Sequence, residues 1–325
     1  MRRYLIRRLA QGAVVLFVVS AVVFAIVHAA PGGPALLNNP DVDPKMAKEM
    51  EKQLGLDDPI PVQYARWLGN ALRGNLGRSY QHSLGTAELL WARIPNTLLL
   101  SGTALLLAVV LAVPLGMISA VYRYSALDYA ATVTAFVGVS IPVFWLAILL
   151  IIVFSVTLGW LPSSGMLTVG VPFSMRDRFL HLLMPSIVLA TFPLAQLTRY
   201  VRSSMVDALA QDYVRTARAK GVPERRVVLR HQLRNALLSF ITRFGLAFPF
   251  LLTGAVLIET IFAWPGMGRL AFNAILARDH TLVTATALIA SVVVVLGNLV
   301  ADILLEFADP RLRVRADVIT EIVTV

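Results

Sequence analysis

Residues 97–121 read TLLLSGTALLLAVVLAVPLGMISAV, 25 positions without an Asp, Glu, Lys, Arg or His. A helix needs about 20 apolar residues to cross the ~30 Å hydrocarbon core of a bilayer. This run is therefore long enough for one span, and a water-soluble fold would have to bury all of it. Further predominantly apolar runs lie at Leu9–Ala30, Tyr129–Leu158, Leu182–Leu197, Leu237–Phe262 and Leu282–Leu304, the run at Leu182–Leu197 being short and carrying two prolines. Together they predict an all-α polytopic membrane protein of about six transmembrane helices.

Composition agrees. Apolar residues make up 57% of the 325-residue chain and charged residues only 15%, against about 25% charged in ordinary soluble domains. The chain has no cysteine, which excludes disulfides, thiolate catalysis and Cys-based metal sites. The net charge of +10 sits mostly in short segments flanking the apolar runs. That distribution fits cytoplasmic loops and a lipid bilayer rather than nucleic acid.

Charge also predicts orientation. Arg2, Arg3, Arg7 and Arg8 precede the first run. That run exceeds the ~7–15 residues of a signal-peptide core, so it reads as a retained anchor. With the N-terminus inside, the inner segments 1–8, 122–128, 198–236 and 305–325 carry 17 Lys and Arg; the two short outer loops carry 4. Both termini are thus expected in the cytoplasm. Residues 31–95 hold seven basic and seven acidic residues. They read as a small extracytoplasmic cap with helical pieces at Pro44–Leu54 and Val62–Leu72. The organisation expected is residues 1–95 as first helix plus cap, 96–315 as the core of spans, and 316–325 as a tail. Pro114, Pro142, Pro185, Pro193 and Pro249 lie in or near spans, where bent helices are tolerated.

The inner loop between spans four and five, residues 203–239, reads SSMVDALAQDYVRTARAKGVPERRVVLRHQLRNALLS. Met205, Leu209, Tyr213 and Ala217 recur every four residues and mark one helical face. Arg218 and Lys220 lie where cations complement a helix C-terminus. Gly221 suits the left-handed stop, and Pro223 the start of a second helix with Glu224 in its first turn. The expectation is helix, glycine break, helix. The residues alone leave two settings open: an interfacial loop held by anionic lipid, or an element docked on a partner.

That loop resembles the EAA loop of ABC-importer permeases, whose pattern is Glu-Ala-Ala, three residues, Gly, nine residues, Ile, one residue, Leu-Pro. Ala217, Gly221 and Leu233 match it; Arg215, Thr216, His231 and Arg234 depart from it. The string YVRTARAKG (Tyr213–Gly221) is similar to the form in the dipeptide, oligopeptide and nickel branch. That branch usually has proline where this chain has Ser239. PGGP (Pro31–Pro34), LGLDDPIPVQY (Leu54–Tyr64), GNLGRSY (Gly74–Tyr80), IPNTLLL (Ile94–Leu100), LPSSG (Leu161–Gly165), WPGMG (Trp264–Gly268) and DPRLR (Asp309–Arg313) extend the resemblance over about residues 1–315.

The resemblance implies a type I ABC-importer permease fold and a defined set of partners. These are a second homologous permease, two cytoplasmic ABC ATPase subunits carrying ATP and Mg, and an extracytoplasmic substrate-binding protein. It implies a plasma (inner) membrane location and peptide as cargo, with nickel, glutathione or another small solute as alternatives. It implies ATPase coupling through Asp212, Tyr213, Arg215, Thr216, Ala217, Gly221, Val222 and Pro223.

A P-loop needs Gly-Lys followed by Ser or Thr. Lys45, Lys48, Lys52 and Lys220 are the only lysines and none fits, so no nucleotide site or catalytic residue is expected in this chain. His28, His82, His181, His231 and His280 are dispersed and suggest no metal or other cofactor site. Asn298, Asp302 and Glu306 fall at i, i+4 and i+8, one helical face. Glu259, Asn298 and Asp302 are candidates for a pathway or permease interface; Glu306 reads as an interfacial helix end. For Glu259 that means lining the outer mouth of the pathway or touching a binding protein, with an interfacial location as the alternative. Arg243 reads as snorkelling, and Trp160 and Trp264 as interface anchors. The rival functions are an ion-coupled secondary transporter, which would show inverted repeats and a midplane ion site, a membrane enzyme, and a membrane scaffold. No such repeat and no catalytic constellation is visible in the sequence.

Overall fold

The computed structural model describes residues 2–29, 57–82, 84–234, 236 and 254–308, with the backbone alone at 2–5 and 304–308. Expectations for Pro44–Leu54, PGGP, Arg243, the Glu306 side chain, DPRLR and the tail 316–325 lie outside the described residues.

Every regular element among the described residues is helical. In chain order they are α1 (Arg2–Ala29), α2 (Ile60–Leu72), α3 (Thr86–Val121) and α4 (Ala126–Ser140). Next come α5 (Val143–Leu150, continued as a π-helix over Ile151–Thr157), α6 (Met175–Leu209) and α7 (Asp212–Ala219). A short α8 (Glu224–Arg226) continues as a π-helix over Val227–Leu233, followed by α9 (Met267–Leu276) and α10 (His280–Ala308). Residues 254–261 are also helical. Among the described residues, four helices are long and apolar enough to cross a membrane: Ile6–Ala29 of α1, α3, α6 and His280–Ile303 of α10. The pair α4 and α5 adds a fifth if it counts as one span. For the remaining expected span, Leu237–Phe262, residues 237–253 lie outside the described set.

The structure corrects three boundaries. The run Tyr129–Leu158, read as one span, is two helices meeting at 101°. Ile141 is extended (φ −78°, ψ 125°), as the residue before a proline prefers, and Pro142 has no N–H to continue the ladder. The short fourth span is a 35-residue helix with Pro185 and Pro193 inside it. At 1.5 Å per residue α6 is roughly 52 Å long, well beyond the hydrocarbon core. The second span starts at Thr86 and runs through Pro95, so α3 has 36 residues.

The chain divides into two compact units. One holds the chain up to Leu99 together with Ala255–Val295; the other holds Leu100–Gly254 and Leu296 onward. In the first unit α2 lies alongside α1. The Tyr64 hydroxyl is 2.9 Å from Ser20 Oγ, and Phe24 packs on Tyr64 and Trp67. Phe17, Ser20 and Phe24 belong to the first span, so α2 packs directly on that helix. Leu76, Leu90, Ile94, Met267, Leu270, Ala274, Leu282 and Ala285 form this unit's core. Helix α9 falls in what the sequence suggested was an outer loop. In the second unit α4 packs along α6. The close approach is allowed by Gly138, where an added Cβ would stand 3.0 Å from Thr191 Cγ2.

Candidate functional site

The candidate site is the segment at the end of α6. Helix α6 stops at Leu209, Ala210 and Gln211 form a turn, and α7 begins at Asp212. Helix α7 ends in a Schellman motif. The Val222 N–H donates to Ala217 O at 3.2 Å, and the Gly221 N–H to Arg218 O at 2.9 Å. This pattern needs a left-handed residue, and Gly221 supplies it at φ +72°. Val222 packs against the small core of Val214, Ala217 and Val227, the apolar contact that usually accompanies the motif. Pro223 then caps the second limb, its carbonyl accepting from Arg226 N and Val227 N at 2.8 and 3.1 Å.

A clamp spans the glycine turn. Arg218 donates from Nε and Nη2 to the two Glu224 oxygens at 3.1 and 2.5 Å. These hydrogen bonds hold the Glu224 carboxyl below the usual range and raise the guanidinium. Arg215 and Asp212 approach to 3.6 Å on an open surface, where such pairs contribute little.

The anticipated apolar face is corrected by the turn at 210–211. Met205 is buried, but Tyr213 is exposed and Val214 takes the inner position with Ala217. A two-residue interruption resets a 3.6-residue repeat, so a stripe drawn through it misassigns the second helix. Asp212, Tyr213, Arg215, Thr216 and Gly221 are outward-facing, Val222 is half-buried and Pro223 exposed. The second limb carries exposed Arg225, Arg226, Arg230 and Arg234. It also holds Gln232, which is fully buried with no hydrogen bond to either amide atom among the described residues.

Sequence reasoning missed a second feature of this unit. Asp128, buried at the start of α4, accepts from Arg202 Nε and Nη2, both at 2.7 Å. It also accepts from Ser119 Oγ and from Tyr124 N at 3.0 Å. Its own N–H reaches Ser125 Oγ, the cap of α4. Partners 9 and 74 positions away in sequence leave no local signal that could have found this cluster.

Glu259 is also placed differently from its sequence reading. It is fully buried in the first unit, not displayed at a mouth or interface. Thr97 Oγ1 donates to it at 2.6 Å, Arg269 N at 3.0 Å, and Gly268 N as well. Thr97 Oγ1 in turn accepts from Met267 N at 2.8 Å. Asn96 Nδ2 donates to Pro265 O at 2.8 Å and Trp264 Nε1 to Asn96 O at 3.0 Å. IPNT and WPGMG, far apart in sequence, are thus two sides of one hydrogen-bonded knot. Trp264 is wholly buried in it rather than an interface anchor, while Trp160 is exposed. Asp279 forms a second such joint. Its Oδ2 accepts from Ser79 Oγ and Tyr80 N at 2.6 and 2.8 Å, and its Oδ1 from Leu282 N at 3.0 Å.

Asn298 and Asp302 lie on continuous helix in α10 and are half-buried; they share the expected face. The dispersed histidines include one pair brought together by folding, His28 and His280, with ring centroids 5.4 Å apart.

Long apolar helices, a pair of apolar helices meeting at 101°, and an exposed two-limb element at the end of α6 define the class, a polytopic membrane protein. Comparison with known proteins gives the family. Residues 112–314 match the family model for the binding-protein-dependent transport system inner membrane component, and residues 1–101 match the model of its N-terminal region. The chain belongs to this family and is a permease subunit of an ABC importer. It is 45% identical over 315 residues to the oligopeptide transport system permease protein AppB of Bacillus subtilis, covering 96% of this chain and 100% of that one. It is 40% identical over 314 residues to the glutathione transport system permease protein GsiC of Escherichia coli K12, covering 96% and 99%. Among solved structures, one titled as inward-facing conformations of the MetNI methionine ABC transporter aligns with TM-score 0.57 at 16% identity. It covers 68% of this chain and 96% of that one, a likeness of fold.

Proposed function

We propose that this permease forms half of a membrane pathway for di- or oligopeptides and is driven by ATP hydrolysed on partner subunits. The observation that carries the reading is the exposed element from Asp212 to Leu233. It is ordered by a glycine stop, a three-residue core and an ion-pair clamp, and Asp212, Tyr213, Arg215 and Thr216 on its outer face remain exposed, a surface open to a docking contact. A docked ATPase subunit would supply one. Asp212, Tyr213, Arg215 and Thr216 would face the ATPase. Ala217, Gly221, Val222 and Pro223 would set the shape that docks.

Peptide as cargo is supported by the name of the Bacillus subtilis relative, an oligopeptide permease; glutathione, itself a small peptide, is named for the Escherichia coli one. The partners are a second permease of the same family, two ATPase subunits and an extracytoplasmic binding protein. The 17-to-4 distribution of basic residues supports cytoplasmic termini. Asn298 and Asp302 would face a water-filled vestibule or the second permease, as membrane-embedded polar groups generally do. The absence of a Gly-Lys-Ser/Thr string supports a subunit without its own ATPase site.

Mild-detergent purification of the tagged chain from its native membrane, with mass spectrometry of what accompanies it, tests this reading. Recovery of a second permease and P-loop ATPases is expected, as is uptake of peptide into vesicles only with ATP inside. A chain that purifies alone and transports along an ion gradient without ATP would contradict it.

A further inference from the structure

The element at 212–233 cannot shift without the end of α6, because only Ala210 and Gln211 separate them and the second limb also packs on α6. Arg202 lies two turns before that end. Its planar fork grips both oxygens of Asp128, a geometry that resists rotation as well as separation. Asp128 is saturated. Ser119 fastens it to the last turn of α3, and the Tyr124 N–H to the intervening turn, where Tyr124 itself sits at φ +65°. One turn further along, α3 and α6 touch backbone to backbone. A Cβ on Gly116 would stand 2.7 Å from Val201 Cβ and 2.8 Å from Thr198 O. Helix α4 begins at this cluster and runs to the 101° break at Ile141 and Pro142.

We propose that the Asp128–Arg202 pair is the joint that passes displacement of the 212–233 element to α4 and thereby to the bend at Ile141–Pro142. This rests on the coupling role proposed above and deepens it. Arg202 and Asp128 are positioning residues: they touch neither nucleotide nor cargo, and they make the end of α6 and the start of α4 move as one body. A lysine at 202 would keep the charge but replace the two-pronged grip by a single swivelling contact. The geometry therefore separates attraction from transmission.

The chain lacks cysteine, so one introduced thiol, read as label on this chain after the subunits are separated, reports one place. Ser140, exposed at the bend, is changed to Cys. Maleimide labelling of the purified complex is then compared without nucleotide and after trapping with ATP and vanadate. With Arg202 in place the labelling rate is expected to change at least fivefold. With Arg202→Lys the change should fall below twofold while the complex assembles and its ATPase rate stays within twofold.

A full nucleotide response with Arg202→Lys overturns the proposal, as does a bend thiol indifferent to nucleotide in the parent complex. Parallel loss of ATPase and response in an assembled complex assigns the pair a merely structural role and overturns it too. Should Arg202→Lys fail to assemble, Ser119→Ala removes one of the four hydrogen bonds to Asp128. A reduced response is expected from it, and an unchanged one counts against the joint. Gly221→Val separates the two claims. If it abolishes the response and Arg202→Lys does not, the joint alone is wrong; if neither variant does, the coupling role of the element fails.

Discussion

Two glycine-containing motifs of this protein use glycine for opposite reasons. In WPGMG a Cβ on Gly266 would overlap the Glu259 carboxyl, and one on Gly268 would stand 2.7 Å from Val256 Cα. The backbone conformation of Gly266 is ordinary extended (φ −99°, ψ −177°). Space is what is missing there. At Gly221 nothing lies within 4 Å of an added Cβ, but φ is +72°. There, conformation is what is missing. The first glycine lets a buried knot close. The second sets the angle between two exposed limbs. Substitutions in the two regions should therefore fail in different currencies, stability in one and coupling in the other.

The largest effect is expected at the knot. Gly266→Ala forces the Glu259 carboxylate away from Thr97, Arg269 N and Gly268 N. Overpacking costs about 3 kcal/mol at the upper end of its usual range. The thermal midpoint of the purified complex should drop by several degrees, with the cargo-to-ATP ratio of the surviving complex unchanged. A stable Gly266→Ala complex with an altered ratio would break the contrast.

A smaller effect, of the other sign, is expected within the exposed element. The Gln232 amide is buried without partners among the described residues, and an unmade hydrogen bond of this kind costs about 1–3 kcal/mol. Gln232→Met should raise the thermal midpoint of the chain. A lower midpoint would mean that the amide is paired in the assembled protein.

The smallest effect concerns the Arg218–Glu224 clamp. The folded Glu224 carboxyl is shifted down by its hydrogen bonds to Arg218. Its contribution is therefore fully present above the unfolded value of about 4.3 and is lost as pH falls through the folded value. A carbon-13 carboxyl titration, assigned by loss of the signal in Glu224→Gln, should give a midpoint below the ordinary one. A midpoint at or above it would remove the clamp from the account.

How far the sequence could be read follows from the range of each interaction. Bilayer thickness imposes a long, local, one-dimensional signal, so the spans at Thr97–Val121 and Leu282–Leu304 were legible as apolar runs. The Gly221 stop was legible too, because a Schellman motif is settled within six residues. The break at Pro142 was not. Pro114, Pro185 and Pro193 look the same in sequence and lie inside continuous helices; whether a proline bends or breaks a membrane helix depends on what meets the freed carbonyl. Nor was the fate of the carboxylates legible. Glu259 finds Thr97 across 162 positions and Asp128 finds Arg202 across 74. Sequence reasoning offered Glu259 to a pathway and passed over Asp128. Tyr213 and Val214 exchanged places because a two-residue turn reset the helical register.

The central claim is that the element at 212–233 transmits ATP hydrolysis to the pathway. It is tested most directly by the cargo-to-ATP ratio of the complete reconstituted complex carrying Gly221→Val. A β-branched residue at positive φ costs about 1–3 kcal/mol locally and has room for its side chain. The complex should therefore assemble and hydrolyse ATP while its ratio falls at least tenfold. A Gly221→Val complex that binds its ATPases and transports with the parent ratio would contradict the account.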